Sequence, residues 1–365
     1  RLNMTAEPIP YSCQTIDDDD IAAVNAVLRA PFLTQGPQIT AFEAEFADRH
    51  EFRHAVAVCN ATAALHIGCL ALEVGPGDLV WTSPNSFVAS ANCARYCGAD
   101  VDFVDIDPAT RNMNVEALAA KLEVAAAKGR LPKVVIPVDF AGLPCDVQAI
   151  RSLADRYGFH VLEDASHAAG ARAEGRSVGA FADIAVFSFH AVKVITTAEG
   201  GLCATQNPIL AEKLSLLRSH GITRDPDCME GASEGDWYYQ QVELGYNYRM
   251  TDIQAALGRA QLARIEELQR ARERQVDRYD RLLADLPLKL PPRKQNAISA
   301  HHLYAVEIDA SRTGVTRANV FKKLRDDAIN ANVHYIPIHL QPYYRRLGFA
   351  EGNFPAAEAY YRQAL

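Results

Sequence analysis

The residues best able to do chemistry lie in one run, Ser188-Phe-His190-Ala-Val-Lys193-Val-Ile-Thr-Thr-Ala-Glu199-Gly200-Gly201. A lysine that is to form an imine must be held near its carbonyl partner and partly desolvated, so that the neutral amine is accessible. Taken singly, a lysine is far more often a solvated surface group. Here a hydroxyl, an imidazole, two threonines, a carboxylate and a Gly-Gly pair surround it, a mixture foreign to a plain surface loop. A second run, Glu163-Asp164-Ala-Ser166-His167, follows a β-rich stretch. A pyridine-type cofactor acts as an electron sink only while its ring nitrogen is protonated, and a carboxylate such as Asp164 keeps it so. His167 would then reach the ring or its phenolic oxygen. As a bare motif, an Asp at a strand end is as readily a helix N-cap.

Cys59-Asn60-Ala61-Thr62-Ala63 runs from a strand into an Ala-rich helix. The free N–H groups and dipole of such a helix start suit a phosphate, with Thr62 adding a hydroxyl and Ala61 letting the backbone approach. An ordinary helix capped by Asn60 explains this run on its own; beside the first two motifs, a cofactor-phosphate cup is the better reading. Phe87, after Ser83-Pro-Asn-Ser86, is placed to stack on a flat ring, or is simply core. Gly245-Tyr-Asn247-Tyr-Arg249 offers amide and guanidinium donors for a phosphate. The stretch His334-Tyr335-Ile-Pro-Ile-His339 through Tyr344 is dense in hydrogen-bonding aromatics that suit a sugar or nucleotide, and equally the packing of two domains.

Strand-like runs must deliver these residues. They fall at His54–Cys59, Asp78–Ser83, Val101–Asp105, Lys133–Phe140, His160–Asp164, Ile184–Phe189 and Gly201–Thr205. Helical stretches alternate with them at Thr62–Leu72, Phe87–Cys97, Val115–Lys128, Val147–Tyr157 and Ile209–Ser219. Several strand runs are apolar almost throughout, as in Val-Val-Ile-Pro-Val, which fits strands covered on both faces. The alternation predicts an α/β fold with a mostly parallel sheet, whose ligands sit at the carboxyl ends of the strands. Beyond residue 205, Gly221–Gly235 reads as a polar surface excursion. Thr251-Asp-Ile-Gln254 is a capping box opening one long helix over Gln254–Leu283, stopped by Pro287 to Pro292. A strand at Leu303–Ile308, a helix at Thr316–Ala328 and a strand at Ala331–Ile336 complete a small α+β domain. The expected organisation is an arm over 1–20, a large cofactor-binding domain over 21–250, and the linking helix with the small domain over 251–365.

With 37 Lys plus Arg against 45 Asp plus Glu, the net charge of −8 is spread evenly and offers no basic face for nucleic acid. No stretch is apolar enough to span a bilayer and no signal peptide is evident. The eight cysteines form no CxxC pair, and Cys93 and Cys97 read as core thiols, so reduced cysteines in a cytoplasmic protein without a metal are expected.

Together these motifs resemble the DegT/DnrJ/EryC1/StrS family of sugar aminotransferases, from Leu33-Thr-Gln-Gly36-Pro37 to Tyr360-Tyr361, most specifically over Ser188 to Gly201. The resemblance implies the type I (aspartate aminotransferase) fold and pyridoxal 5'-phosphate (PLP) as cofactor. By that likeness Lys193 is the Schiff-base lysine, Asp164 pairs with the pyridine nitrogen, and His167 stands where many members have Gln. Ala61, Thr62 and Ser188 would hold the phosphate and Phe87 would stack on the ring. Asn247 would reach the neighbouring subunit's cofactor, implying a homodimer with shared active sites. His334, Tyr335, His339 and Arg249 are the candidates for binding substrate. Phe-His-Ala-Val-Lys, Asp-Ala-Ser-His-Ala and Val-His-Tyr-Ile-Pro-Ile-His resemble the pseudaminic-acid branch of the family. That branch moves an amino group from L-glutamate, giving 2-oxoglutarate, to UDP-2-acetamido-2,6-dideoxy-β-L-arabino-hexos-4-ulose, a UDP-linked 4-keto sugar. In one departure, Asp139 stands where many relatives carry His. Perosamine- and 4-amino-arabinose-type aminotransferases remain open as alternatives; a sugar dehydratase, in which the lysine is typically His, or a non-catalytic module fits Lys193 less well.

Overall fold

Strands built from unbroken apolar runs are buried along their whole length, as at Val134–Ile136 and Ile184–Ser188. The computed structural model describes residues 7–365, so the first six residues of the expected arm lie outside the described residues. Seven strands form the central sheet: β1 (His54–Val58), β2 (Leu79–Thr82), β3 (Asp100–Phe103), β4 (Val134–Ile136), β5 (His160–Asp164), β6 (Ile184–Ser188) and β7 (Gly201–Thr205). Their spatial order is β1-β7-β6-β5-β4-β2-β3. All neighbours run parallel except β7, which lies antiparallel to both β1 and β6.

Nine helices carry the layers discussed below: α1 (Asp18–Leu28), α2 (Pro37–Arg49), α3 (Ala61–Ala71), α4 (Ala89–Tyr96), α5 (Val115–Ala127), α6 (Val147–Tyr157), α7 (Pro208–Arg218), α8 (Asp252–Ala263) and α9 (Ile265–Leu283). Alternation along the strands sorts the core. Val56, Val134, Leu162 and Val186 pack with α3, α4 and α7 on one face. Ala57, Ala185, Phe187 and Leu202 pack with α2 and α8 on the other, where Trp81, Val135 and Val161 meet α5 and α6. All eight cysteines are free thiols, and Cys93 and Cys97 are buried in the first of these layers, as expected.

The single helix expected over Gln254–Leu283 is two helices, broken at Arg264 (φ −114°, ψ 18°). The capping box at Thr251 and Gln254 is present. No Gly or Pro marks the break. Arg264 instead donates to the Thr15 carbonyl (2.7 Å) and to buried Asp20 (2.6 Å), tying the N-terminal segment to the turn. α8 buries its small side chains beneath α1 and α2, whereas α9 is Arg- and Glu-rich and mostly exposed, so the direction changes where burial ends. Other boundaries also move. Pro137, which has no N–H, ends β4 short of the expected Phe140. Of Leu303–Ile308 only Glu307–Ile308 forms a strand, paired with Leu288–Lys289, while Val306 exchanges hydrogen bonds with Leu365. Residues 331–336 join no ladder; the chain just before them pairs with the N-terminal segment, the Ile9 amide donating to Ala328 and that of Asn330 to Ile9. The polar excursion is longer than expected and forms a hairpin, Ile222–Thr223 against Gln240–Gln241.

Arg111 fastens the C-terminal segments to the sheet. Its side chain is fully buried, 2.8 Å from Glu307, and donates to the carbonyls of Ala305 (2.9 Å) and Leu290 (3.2 Å). Removing one member of such a pair strands the other charge without water, at a cost of about 3 kcal/mol or more. Lys289, 3.3 Å from Glu307, offsets part of that. We therefore expect Arg111→Met to lower the unfolding free energy by about 2–3 kcal/mol, read by urea denaturation at fixed protein concentration. A change below about 0.5 kcal/mol would show that the pair does not hold these segments.

Candidate active site

Four chain segments meet at the carboxyl end of the sheet around a cleft of about 820 Å³. β6 ends at Ser188, and after Phe189 the chain makes a loop that returns as β7. Thr196 and Thr197 donate to the carbonyls of Phe189 and Glu199 (3.1 and 2.7 Å), and the Thr197 amide donates to Phe189, so the loop is closed by its own hydroxyls. Gly200 and Gly201 are required by space. A Cβ at Gly200 would stand 2.0 Å from Thr197 Oγ1, and one at Gly201 would stand 2.4–2.6 Å from the backbone of Asn60 and Ala61. The second approach presses the lysine loop's returning strand against the start of α3.

Lys193 projects from this loop into the cleft. Burial disfavours its charged form and holds the amine's pKa down to about 8, while the negative charge of Asp164 pushes the other way. Asp164 ends β5, the parallel neighbour of β6, and is 5% exposed. The Ser90 hydroxyl donates to Asp164 Oδ2 (2.6 Å), Ser86 bonds Ser90 (2.8 Å), and the Ser166 amide donates to Oδ1 (3.2 Å). Asp164 is therefore not a bare helix cap; one oxygen is engaged by a hydroxyl chain from α4 and the segment before it.

His167 accepts the Ala141 amide at Nδ1 (3.2 Å) and lies 3.2 Å from the Tyr335 hydroxyl through Nε2. Burial keeps it neutral, so the one ring proton sits on Nε2 and is donated to Tyr335. That leaves the Tyr335 proton free to point into the cleft. His302 packs against His167 with ring centroids 4.4 Å apart and is also kept neutral by burial. At the rim, Tyr11 bonds His334 Nε2 (2.8 Å), whose pKa burial lowers to about 4. Phe87 is 59% exposed on the cleft wall, one residue before the turn that starts α4.

At α3, Asn60 caps the helix by accepting the Ala63 amide (2.8 Å), while the amides of Ala61 and Thr62 have no partner among the described residues. Asn60 is thus an ordinary cap and also leaves two donors facing the cleft. Ser188 lines the same wall. This donor set fits a phosphorylated pyridine aldehyde: free amides and hydroxyls for the phosphate, a buried carboxylate for the ring, and a lysine with a lowered pKa for the carbonyl.

The remaining candidates lie elsewhere. His339 is fully buried, bonded to Glu358 (2.9 Å) and packed on Phe354, so it does not reach a substrate. Arg249 pairs through its backbone with Val58 and Asn247 with Ser219, and neither side chain lines the cleft of its own chain. Asp139 is buried away from the cleft and accepts the Cys145 amide (2.8 Å). Burial raises its pKa to about 6 and that of neighbouring Glu163 well above the usual carboxyl range. Sequence reasoning missed Ser90, His302 and Tyr11. Ser90 alone left a trace, one helical turn beyond Ser86; the other two come from distant chain.

An enclosed amine set among such partners belongs to enzymes that work through a carbonyl cofactor, and the sheet with its single reversed strand is the type I PLP-dependent transferase fold. The chain belongs to the DegT/DnrJ/EryC1/StrS aminotransferase family, whose model matches residues 14–365. Its cofactor is pyridoxal 5'-phosphate, and it is a sugar aminotransferase of that family. It is 39% identical over 360 residues to the spore coat polysaccharide biosynthesis protein SpsC of Bacillus subtilis, covering 98% of this chain and 91% of that one. It superposes on Helicobacter pylori PseC, an aminotransferase of pseudoaminic acid biosynthesis, with a TM-score of 0.89 at 31% identity, over 98% and 92% of the two chains. Spr1654 of Streptococcus pneumoniae in its PLP form gives 0.87 at 31% identity, over 98% and 92%. No described helix is long and apolar enough to cross a membrane.

The lowered pKa of Lys193 sets a pH dependence. Its reactive form is the neutral amine, whose fraction rises as pH passes upward through about 8. The rate at which cofactor-free protein takes up pyridoxal phosphate should follow that rise. Because Asp164 supports the charged form, Asp164→Asn should move the midpoint to lower pH. A midpoint near 10.5, the ordinary lysine value, would contradict the burial argument.

Proposed function

We propose that this protein transfers an amino group from L-glutamate to C4 of a nucleotide-linked 4-keto-6-deoxy sugar. The substrate we favour is UDP-2-acetamido-2,6-dideoxy-β-L-arabino-hexos-4-ulose, giving UDP-4-amino-4,6-dideoxy-N-acetyl-β-L-altrosamine. The observation that carries the transfer chemistry is Lys193, an amine lowered to about 8 by burial, at the end of the strand beside Asp164. Its likeness to PseC over nearly the whole chain supports the sugar.

Bound pyridoxal phosphate supplies the reactive carbonyl and the electron sink; the chain supplies position and protons. Lys193 holds the cofactor, removes the proton from Cα of glutamate and later delivers one to sugar C4, its face of approach fixing the configuration there. Asp164, held by Ser90, keeps the pyridine nitrogen protonated. Ala61, Thr62 and Ser188 would hold the phosphate, Phe87 would cover the ring and His167 would stand on the side of its phenolic oxygen. Tyr335 accepts the His167 N–H, which leaves its own O–H free to donate to a sugar oxygen, and His334 lines the same side.

Asn247 completes the site of a second subunit. It is exposed and does not line its own cleft, and the segment before it bares Trp237 (71%) and Leu244 (69%), apolar surface that suits a partner chain.

Two experiments test this reading. Holoenzyme with glutamate is offered a panel of UDP-, GDP- and dTDP-linked 4-keto sugars, and mass spectrometry finds which gains an amine. Gain on the UDP sugar is expected, and none with Lys193→Ala; gain only on a GDP or dTDP sugar would move the protein to another branch. For shared sites, Lys193→Ala and Asn247→Ala chains, each nearly inactive, are mixed and allowed to exchange subunits. Half the dimers then hold one intact site, so roughly a quarter of wild-type activity should return. If none returns although subunits exchange, each site is made by one chain.

A further inference from the structure

A second cavity, of about 330 Å³, meets the cleft at Lys193 and His302, which line both. Its floor is one face of α9, with Leu268, Arg272, Gln275 and Tyr279 at helical spacing, and its roof is Thr15 of the N-terminal segment. No acidic side chain lines it, although the chain carries a net −8, while Lys193 and Arg272 both do. Arg272 is the unusual group. Other arginines nearby either find carboxylates, as Arg264 does at Asp17 and Asp20 and Arg293 at Asp277 and Asp280, or stand exposed in water, as Arg274, Arg278 and Arg281 do. Among the described residues Arg272 meets none. Its Nη1 makes two long contacts, with the carbonyls of His301 (3.3 Å) and His302 (3.4 Å), and Nε and Nη2 bond nothing. Burial already lowers its pKa. A guanidinium withdrawn from water without a counter-ion is costly, and its planar fork matches a carboxylate.

We infer that this cavity is the carboxylate subsite for the amino donor, with Arg272 clamping one carboxylate of a five-carbon diacid while the donor's amine faces Lys193. The inference rests on the proposed use of glutamate. It separates the two substrates: the sugar contacts the cleft side of Lys193, lined by Tyr335 and Phe87, and the donor's acid contacts the α9 side. Arg272 thereby determines donor specificity rather than sugar specificity.

The test follows the two half-reactions separately by rapid-mixing absorbance, in holoenzyme and in Arg272→Lys and Arg272→Gln. The glutamate concentration giving half-maximal rate should rise roughly 30- to 100-fold in Arg272→Gln and about 10-fold in Arg272→Lys, with the keto-sugar half-reaction changed less than about two-fold. Equal slowing of both half-reactions, or an unchanged glutamate dependence, overturns the subsite. Calorimetry of glutarate, an unreactive diacid, against butyrate on wild-type protein decides the matter even if the variants fail to fold. Glutarate should bind at least ten-fold tighter, and equal binding overturns the inference. Should the wild type transfer no amine from glutamate to any acceptor, the proposed function fails, while the glutarate comparison still reads the cavity.

Discussion

A primary amine carries a proton in neutral water, and the site depends on a fold that resists this at Lys193. Burial lowers the amine's pKa, yet the carboxylate of Asp164 on the adjacent strand restores part of its charge. The structure balances the two by giving Asp164 other partners, the Ser90 hydroxyl and the Ser166 amide, so that its charge is shared. The surrounding imidazoles are kept neutral by the same burial, which spares the cleft several positive charges beside the lysine. Polarity here comes from oriented N–H and O–H groups more than from ions, the form of electrostatics that keeps its direction when a substrate enters.

Much of this was legible in the sequence because strand ends are local. Lys193, Asp164, His167 and Thr62 each follow a recognisable strand or open a helix, and a parallel sheet brings such ends together without further information. What could not be read depends on distant chain. Ser90 matters because α4 turns it toward Asp164, and Tyr11 because the N-terminal segment crosses to His334. The break at Arg264 arises from a tertiary tether in a sequence with uninterrupted helical periodicity. His339 misled for a related reason. A histidine among tyrosines has the composition of a sugar site, but Glu358, nineteen residues on, draws it into the interior.

Behind the cofactor-facing wall lies a pair of acids that sequence alone would have called charged. Asp139 and Glu163 are both fully buried, and both have raised pKa values. The pair therefore retains a proton, held chiefly by Glu163, where an exposed pair would be doubly ionised. Its backbone is continuous with the site, since the Asp139 amide donates to the Asp164 carbonyl (3.1 Å) and that of Asp164 to Pro137 (2.9 Å). A carboxyl pair that keeps one proton at this place lets the chain pass polar side chains behind Asp164 with one negative charge there in place of two.

The contact between Gly201 and the start of α3 carries a further consequence. Because backbone touches backbone there, the distance from the lysine loop to the amides of Ala61 and Thr62 behaves as a rigid gauge. No exchange of the surrounding side chains changes that contact, and only a side chain at Gly201 itself would push the two apart. On the proposed reading, such a gauge would accept one length of cofactor and leave the choice of sugar to another part of the molecule. The segment from Asn332 to Tyr335, which joins no ladder and leans on the N-terminal segment, is free of that gauge; new acceptors would be accommodated there while the chemistry stays fixed.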